Sequence, residues 1–446
     1  MLRKELIFLK RFIISFIFMM TFVLLCATNA SATDYNNIKV GLYYSSSAKS
    51  SVTISADGGI SYGNHTGSSH VEAGRLEGSE FTITSASETE ITINNELTIE
   101  TGGSNLSIKP ISGYIKLNGK GYRGGIILTN ASQTTMNVIN VVTLEEYLYG
   151  VVPNESPASW PADALKAQAV CARGFAVSNI NKHASLGFNV CATTNCQVYG
   201  GLDTECASTN SAVDATRGQV VVQNGTPIES LFYSSSGGHT ANSKSVWGST
   251  ISYLCGVPDP YEPENAPNHS WTVALSLEEI RTALASSGVN VGDVLKLDAV
   301  NAEDGRAIEL TVTGTNGTYT LTKGNTYAPF ASRGVKGQKF TISPISAQEE
   351  PVYAANAYGK SLLAGNSTIS AYGQTGTVST DYYVVTSKGI HHHTKGEPVG
   401  YTFTGGGWGH GVGLSQYGSM GMANAGFSYV DILNHYYPGT QLGSIY

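Results

Sequence analysis

The chain has 446 residues, enough for more than one well-buried core. It carries 51 glycines and 25 tyrosines with only 13% charged residues, which excludes a coiled coil and an intrinsically disordered chain. The formal net charge is −7 and no basic run follows the N-terminus, which argues against a nucleic-acid partner, because phosphate contacts need clustered Lys and Arg.

In chain order, Lys4, Lys10 and Arg11 precede an apolar run from Phe12 to Ala27, followed by Ala30-Ser31-Ala32. Residues 1–32 therefore read as a signal peptide. The alternative is an N-terminal membrane anchor: the run falls short of the roughly 20 residues that span a bilayer, but Ile7 to Leu9 can extend it. Either reading predicts export, to the extracellular or wall face of the membrane. Without residues 1–32 the balance is 22 basic against 32 acidic groups, a net of −10. Five cysteines then remain, at 171, 191, 196, 206 and 255. An odd count outside the cell leaves one thiol free or draws some to a metal.

Residues 37–110 form a small β-rich domain in this reading. Ile38 to Tyr44, Phe81 to Thr84 and Glu90 to Ile93 alternate with the period of strands. Strands continue at Tyr114 to Leu117, Gly125 to Leu128 and Met136 to Val142, and a tight proline-containing turn follows at Val152 to Pro157. The clearest helix runs from Pro161 to about Ser178, with Ser159 as a cap and Leu165, Ala169, Ala172 and Ala176 on one face. Further helices are expected over Ser276 to Ser286, with a Ser276/Glu279 capping box, and over Ser428 to about Tyr436. A Tyr-, Ser- and Gly-rich stretch near 350–400 reads as a β-type insertion. The fold class is α+β: a mixed, β-rich, cleft-forming domain over 111–446 with a few helices, preceded by the small β domain.

Five clusters can carry chemistry. Glu155 lies between Pro153 and Pro157, ahead of the helix bearing Gln168 and Arg173; on the residues alone, a carboxylate that complements the helix N-terminus is the better reading. His183, Cys191 and Cys196 suit either a metal or a local disulfide, and no fourth donor lies nearby; Gln197 and Tyr199 follow directly. Ser235, Ser236 and His239 flank Gly237-Gly238, a loop whose backbone can approach a polyhydroxyl ligand. A Ser-His nucleophile there lacks the usual elbow. In the run Gly405 to Gly418, Trp408 offers a sugar-stacking face, and His410, Ser415 and Gln416 offer hydrogen bonds. No βαβ unit precedes it, so a nucleotide loop is a poor reading. His391 to His393 suggest a metal trap, but a solvated loop fits better.

Taken in order, these clusters resemble the stage II sporulation protein D family (SpoIID/LytB domain). The resemblance runs from about Gly113 to Thr440, and rests on Pro153 to Pro157 with Ala164 to Val170, Cys196 to Gly200, Tyr233 to Gly238, and Gly407 to Gly418. It implies a lytic transglycosylase acting on peptidoglycan glycan strands, typically peptide-stripped, during engulfment in sporulation. It maps the family's catalytic glutamate onto Glu155 and implies that no cofactor is required. Gln168, Arg173, Gln197, Tyr199, Ser235, Ser236, His239, Trp408, His410, Ser415 and Gln416 are the candidate substrate-binding residues. Some members bind zinc through Cys and His near Cys191 and Cys196, which would make His183, Cys191 and Cys196 ligands of a structural zinc. Here Asn195 stands where those members carry a histidine, a departure that puts the metal in question. Some relatives are described as amidase enhancers, so the second reading is a non-catalytic glycan binder that stimulates a cell-wall amidase or other sporulation wall enzymes.

Overall fold

The computed structural model describes residues 35–346 and 398–446, and between them the strands Val352–Asn356, Gly359–Leu363, Thr368–Ala371, Gln374–Thr377, Asp381–Thr386 and Gly389–Thr394. The export segment expected at 1–32 lies outside the described residues. Among the described residues no helix is long and apolar enough to cross a membrane.

The fold is α+β, as expected. A seven-stranded sheet runs in the order Val190–Cys191, Asn37–Tyr43, Met136–Thr143, Gly125–Asn130, Leu106–Pro110, Ile60–Thr66 and Ser69–Leu76. A six-stranded sheet runs Lys120–Tyr122, Ile115–Leu117, Ser51–Ala56, Glu80–Ser85, Glu90–Ile93 and Leu97–Glu100. Alternation along these strands buries Ile38, Val40, Ile54 and Ile83 completely, as a half-buried pleat requires. Both sheets take strands from either side of residue 110, so the boundary expected there does not separate two sheets. Asn37–Tyr43 pairs in parallel with Val190–Cys191, Gly41 lying opposite Cys191. A Cβ at Gly41 would stand 2.6 Å from the Phe188 ring, so glycine lets the strand close against the 183–196 segment.

Among the described residues the α-helices are α1 (Leu144–Tyr149), α2 (Val152–Glu155), α3 (Ala162–Ser178), α4 (Ala207–Ala215), α5 (Ser243–Trp247), α6 (Leu277–Ser286), α7 (Gln416–Asn424) and α8 (Tyr429–Tyr436). The Ser276/Glu279 capping box forms as expected, and α8 adds a second one from Ser428 and Asp431. The turn expected at Val152 to Pro157 contains a helical turn, α2. Ser159 does not cap α3; Pro161 occupies that position without a side-chain hydrogen bond. The Asp163 carboxylate instead accepts from the Tyr429 N–H at 3.2 Å, tying the start of α8 to the start of α3.

One core joins α3 to the C-terminal segment: Ala167, Val170 and Cys171 pack with Val221, Val412, Leu414, Met422, Ile432 and Tyr436. The small residues of α3 permit this close approach. A separate core draws on residues 271–340 with Tyr401 and Phe403, and includes Leu275, Ile280, Leu284, Leu310, Phe330 and Phe340. Phe340–Ser346 and Trp271–Ser276 flank Pro398–Gly405, both antiparallel to it. In the stretch expected to be β-type, short antiparallel pairs occur, and His391 to His393 lie in the strand Gly389–Thr394.

Candidate active site

Glu155 ends α2, and its side chain is only partly exposed. Its Oε1 accepts from the Val198 N–H at 3.1 Å, and the Gln416 amide, which donates to Gln168 Oε1 at 3.3 Å, lies near enough to act on the carboxylate. Burial dominates and pushes the carboxyl pKa up; the Val198 bond and the Gln416 amide pull it partly back. The sequence raised the opposite concern, since the positive end of a following helix favours an ionised carboxylate. In the structure α3 begins at Ala162, beyond Pro157 to Pro161, and carries Asp163 in its own first turn. Desolvation therefore wins at Glu155. Gln168, on α3 and 1% exposed, is a crossbar: its Oε1 accepts from Ser156 Oγ at 3.4 Å and from Gln416 Nε2 at 3.3 Å. Trp160 and Tyr417 meet edge-on, ring centroids 5.1 Å apart.

The serine loop and the glycine loop come together beside this group. Phe232–Tyr233 pairs in parallel with Leu414–Ser415, and Ser235 and Trp408 exchange backbone hydrogen bonds at 3.2 and 2.8 Å. The hydroxyls of Ser235, Ser236 and Ser415 do not face solvent. They donate to the carboxylate of Glu262, at 2.5, 2.6 and 3.3 Å. Ser235 Oγ is thus committed to Glu262 and not to His239, whose Nδ1–H donates to the Thr240 carbonyl at 2.7 Å. This geometry removes the Ser-His nucleophile. His410 donates from Nε2 to the Phe232 carbonyl and accepts from the Val412 N–H at Nδ1, both at 3.1 Å. Burial lowers its pKa to about 4, so it is a neutral brace. Trp408 remains 52% exposed, and Trp247, beside His410, is 44% exposed; both indoles are open to a sugar face.

Three expected substrate contacts lie elsewhere. Arg173 is fully buried in a bidentate pair with Glu145. Tyr199 is 4% exposed, and its hydroxyl donates to Asn140 at 2.8 Å. Gln197 is 1% exposed and accepts from the Tyr147 hydroxyl at 3.2 Å. All three side chains are spent on contacts inside the protein. Sequence reasoning missed Glu262, Asp259, His269 and Trp247. The two acids sit in Asp259-Pro260-Tyr261-Glu262, and in a chain so poor in charge that spacing was the one available signal.

His183 Nε2 and the sulfurs of Cys191 and Cys196 lie within 4.8 Å of one another, with Cys196 Sγ 3.4 Å from His183 Nε2. Both cysteines are free thiols. Burial works against a charged sulfur at Cys191, but hydrogen bonds led by Thr193 hold its thiol below the usual range. Two soft sulfurs and one imidazole nitrogen fit three positions of a tetrahedral zinc. The Tyr44 ring, 6.0 Å from that of His183, borders the cluster.

A family model described as "Stage II sporulation protein" matches residues 132–222. The chain is 32% identical over 370 residues to the amidase enhancer of Bacillus subtilis, a match covering 78% of this chain and 48% of that relative, about half its length. It is 30% identical over 328 residues to an uncharacterised protein of Brachyspira hyodysenteriae, covering 73% of each. It is 29% identical over 325 residues to stage II sporulation protein D of Bacillus subtilis, covering 70% of this chain and 77% of that protein.

Proposed function

The chain belongs to the stage II sporulation protein D family, and on that premise we propose that it is a peptidoglycan lytic transglycosylase whose working acid is Glu155. Membership gives it a cell-wall role, as an exported or wall-associated protein. One feature carries the enzymatic reading: the Glu155 carboxyl is part-buried, accepts from the Val198 N–H and lies near the Gln416 amide, with no charged partner among these, a setting in which burial pushes its pKa up. Such a carboxyl can hold a proton near the operating pH, which a general acid must do.

Ordinary glycosidases need two carboxyl groups. Here the neutral Glu155 donates its proton to the bridging oxygen after an N-acetylmuramic acid unit, and the C1–O bond breaks. The carboxylate so formed then accepts the proton of that sugar's C6 hydroxyl as its oxygen bonds to C1. The products are a 1,6-anhydro end and a free hydroxyl on the leaving sugar, with no water consumed and Glu155 again protonated. The exposed Trp408 offers a stacking face for the glycan.

Purified protein incubated with peptide-stripped glycan strands should release fragments ending in 1,6-anhydro-N-acetylmuramic acid, read by mass spectrometry. The amidase-enhancer relative favours a second reading, glycan binding that stimulates a cell-wall amidase. Absence of anhydro ends together with a faster partner amidase would replace the first reading with the second.

His183, Cys191 and Cys196 are proposed as a structural zinc site; the metal would tie His183 to the Cys191–Cys196 turn within the 183–196 segment and takes no part in the reaction. Metal analysis of purified protein should find one zinc per chain, lost in Cys191→Ser. An intact mass two hydrogens light, with a Cys191–Cys196 cross-linked peptide, would eliminate it.

A further inference from the structure

The side chain of Glu262 is completely buried, and among the described residues no Lys or Arg hydrogen-bonds it. Its Oε1 accepts from Ser235 Oγ at 2.5 Å, His269 Nδ1 at 3.2 Å and Gly237 N at 3.4 Å. Its Oε2 accepts from Ser236 N and Ser236 Oγ, both at 2.6 Å, and from Ser415 Oγ at 3.3 Å. A carboxylate offers about four lone-pair sites, so six donors more than saturate it. Burial alone would raise its pKa, yet the bonds from Ser235 and Ser236 hold it below the usual range. The group is a buried anion kept ionised by the two loops it joins.

The other side of the serine loop is held by cations. Lys339 Nζ donates to the Gly237 carbonyl. Arg306 donates to the His239 carbonyl at 2.9 Å and to the Thr240 carbonyl at 3.2 Å. Donors of residues 235–237 therefore face a negative charge and carbonyls of 237–240 face positive ones, which fixes the loop from both sides. Asp259 packs beside Glu262, bonded by the Tyr436 hydroxyl at 2.9 Å. Gly418 makes room for it, since a Cβ there would stand 2.2 Å from an Asp259 oxygen.

The chain of contacts then runs to Glu155. Ser415 donates to Glu262 and caps α7 by accepting from the Gly418 N–H at 3.1 Å. The next residue, Gln416, donates to Gln168 Oε1 at 3.3 Å, the atom that also accepts from Ser156 Oγ beside Glu155 at 3.4 Å, and its amide lies near enough to the Glu155 carboxyl to lower its pKa; the Tyr417 N–H donates to the Ser234 carbonyl at 3.1 Å. We propose that Glu262 is a positioning residue: by clamping Ser415 to the Ser235–Ser236 loop it sets the Gln416 amide against the Glu155 carboxyl. This rests on the reading of Glu155 as the working acid. A carboxylate is required because an amide in its place would turn its NH2 toward donors in either orientation, those of Ser236 at Oε2 or those of Ser235 and Gly237 at Oε1. Of the titratable groups facing Glu262, Asp259, His269 and Lys339 are unchanged in the variants used to test this.

The test is the ionisation of Glu155, followed by infrared spectroscopy of its carboxyl band and identified by the band's loss in Glu155→Gln. The nearby Gln416 amide dipole favours the ionised form. Glu262→Gln should therefore move the Glu155 midpoint upward, Gln416→Leu should do the same, and the double variant should move it no further. Ser415→Ala, which cuts the link without touching the carboxylate, should also raise it, and it keeps the test open if Glu262→Gln does not fold. Cleavage by Glu262→Gln should fall in kcat by about 10²-fold, as expected for a misplaced catalytic group, with KM little changed. An unchanged midpoint in folded Glu262→Gln or Ser415→Ala, additive shifts in the double variant, or a loss confined to KM would overturn the proposal. The titration needs no turnover, so a wild type that forms no anhydro ends would count against the enzymatic reading and not against the clamp.

Discussion

Replacing Glu155 by glutamine should cut release of 1,6-anhydro ends by about 10²–10⁴-fold, the usual contribution of a positioned general acid, with the melting temperature maintained. Glutamine matches glutamate in shape and keeps a carbonyl oxygen to accept from the Val198 N–H, now at 3.1 Å. It removes the one thing the mechanism needs, a proton that can pass to the leaving oxygen and return from the C6 hydroxyl. The wild-type pH profile carries the same signature. The acid must start protonated, and burial raises its pKa, so activity should be present below that raised value and lost as pH climbs through it. A glutamine variant that retains wild-type cleavage, measured by mass spectrometry of the digest, would remove Glu155 from the chemistry.

Arg173→Met should destabilise the fold by about 3–5 kcal/mol, the cost of leaving a buried charge without its partner. Arg173 Nε and Nη2 donate to Glu145 at 3.0 and 2.6 Å, and both side chains are at most 2% exposed. Arg173 also donates to the carbonyls of Gln219 and Val213 at 3.0 and 3.3 Å. In the variant the Glu145 carboxylate retains the Gly218 N–H at 3.0 Å as a close donor, too little for a charge out of water. Adding Glu145→Leu should recover much of the loss, since an apolar pair can replace a buried ion pair at small cost. Chemical denaturation of the single and double variants checks both statements; a single variant as stable as wild type would refute them. Glu145 lies on α1 and Arg173 on α3, so this pair sets the two helices that bracket α2 and Glu155.

Local features were legible in residue order. The capping box at Ser276 and the start of α8 at Ser428 need only contacts three residues apart. The alternation of Ile38 and Val40, both fully buried, needs only the period of a strand. α7 was not legible, because Gly418 and Gly421 look like loop residues. Both are glycine within the helix because a side chain at either position would strike Asp259 or the Tyr261 carbonyl. The sheet that mixes residues 37–110 with later strands was hidden for a related reason. Register between distant strands depends on which faces must be buried together, and no short window contains that information.

Glu155 divides the two kinds of knowledge. The amino-acid order, through motifs recurring in one sequence of positions, was enough to single it out and to name the family. Whether it could start protonated was decided only by folding, because its pKa depends on burial and on Val198 and Gln416, 43 and 261 residues further along the chain. The same holds for the polar residues around it. Sequence marked Arg173, Tyr199, Ser235, Ser236 and Ser415 as able to bind sugar, and tertiary structure turned them inward to Glu145, Asn140 and Glu262. A residue type states which hydrogen bonds a side chain can make; only packing decides whether protein or substrate makes them, since a buried polar group must find its partner inside the fold.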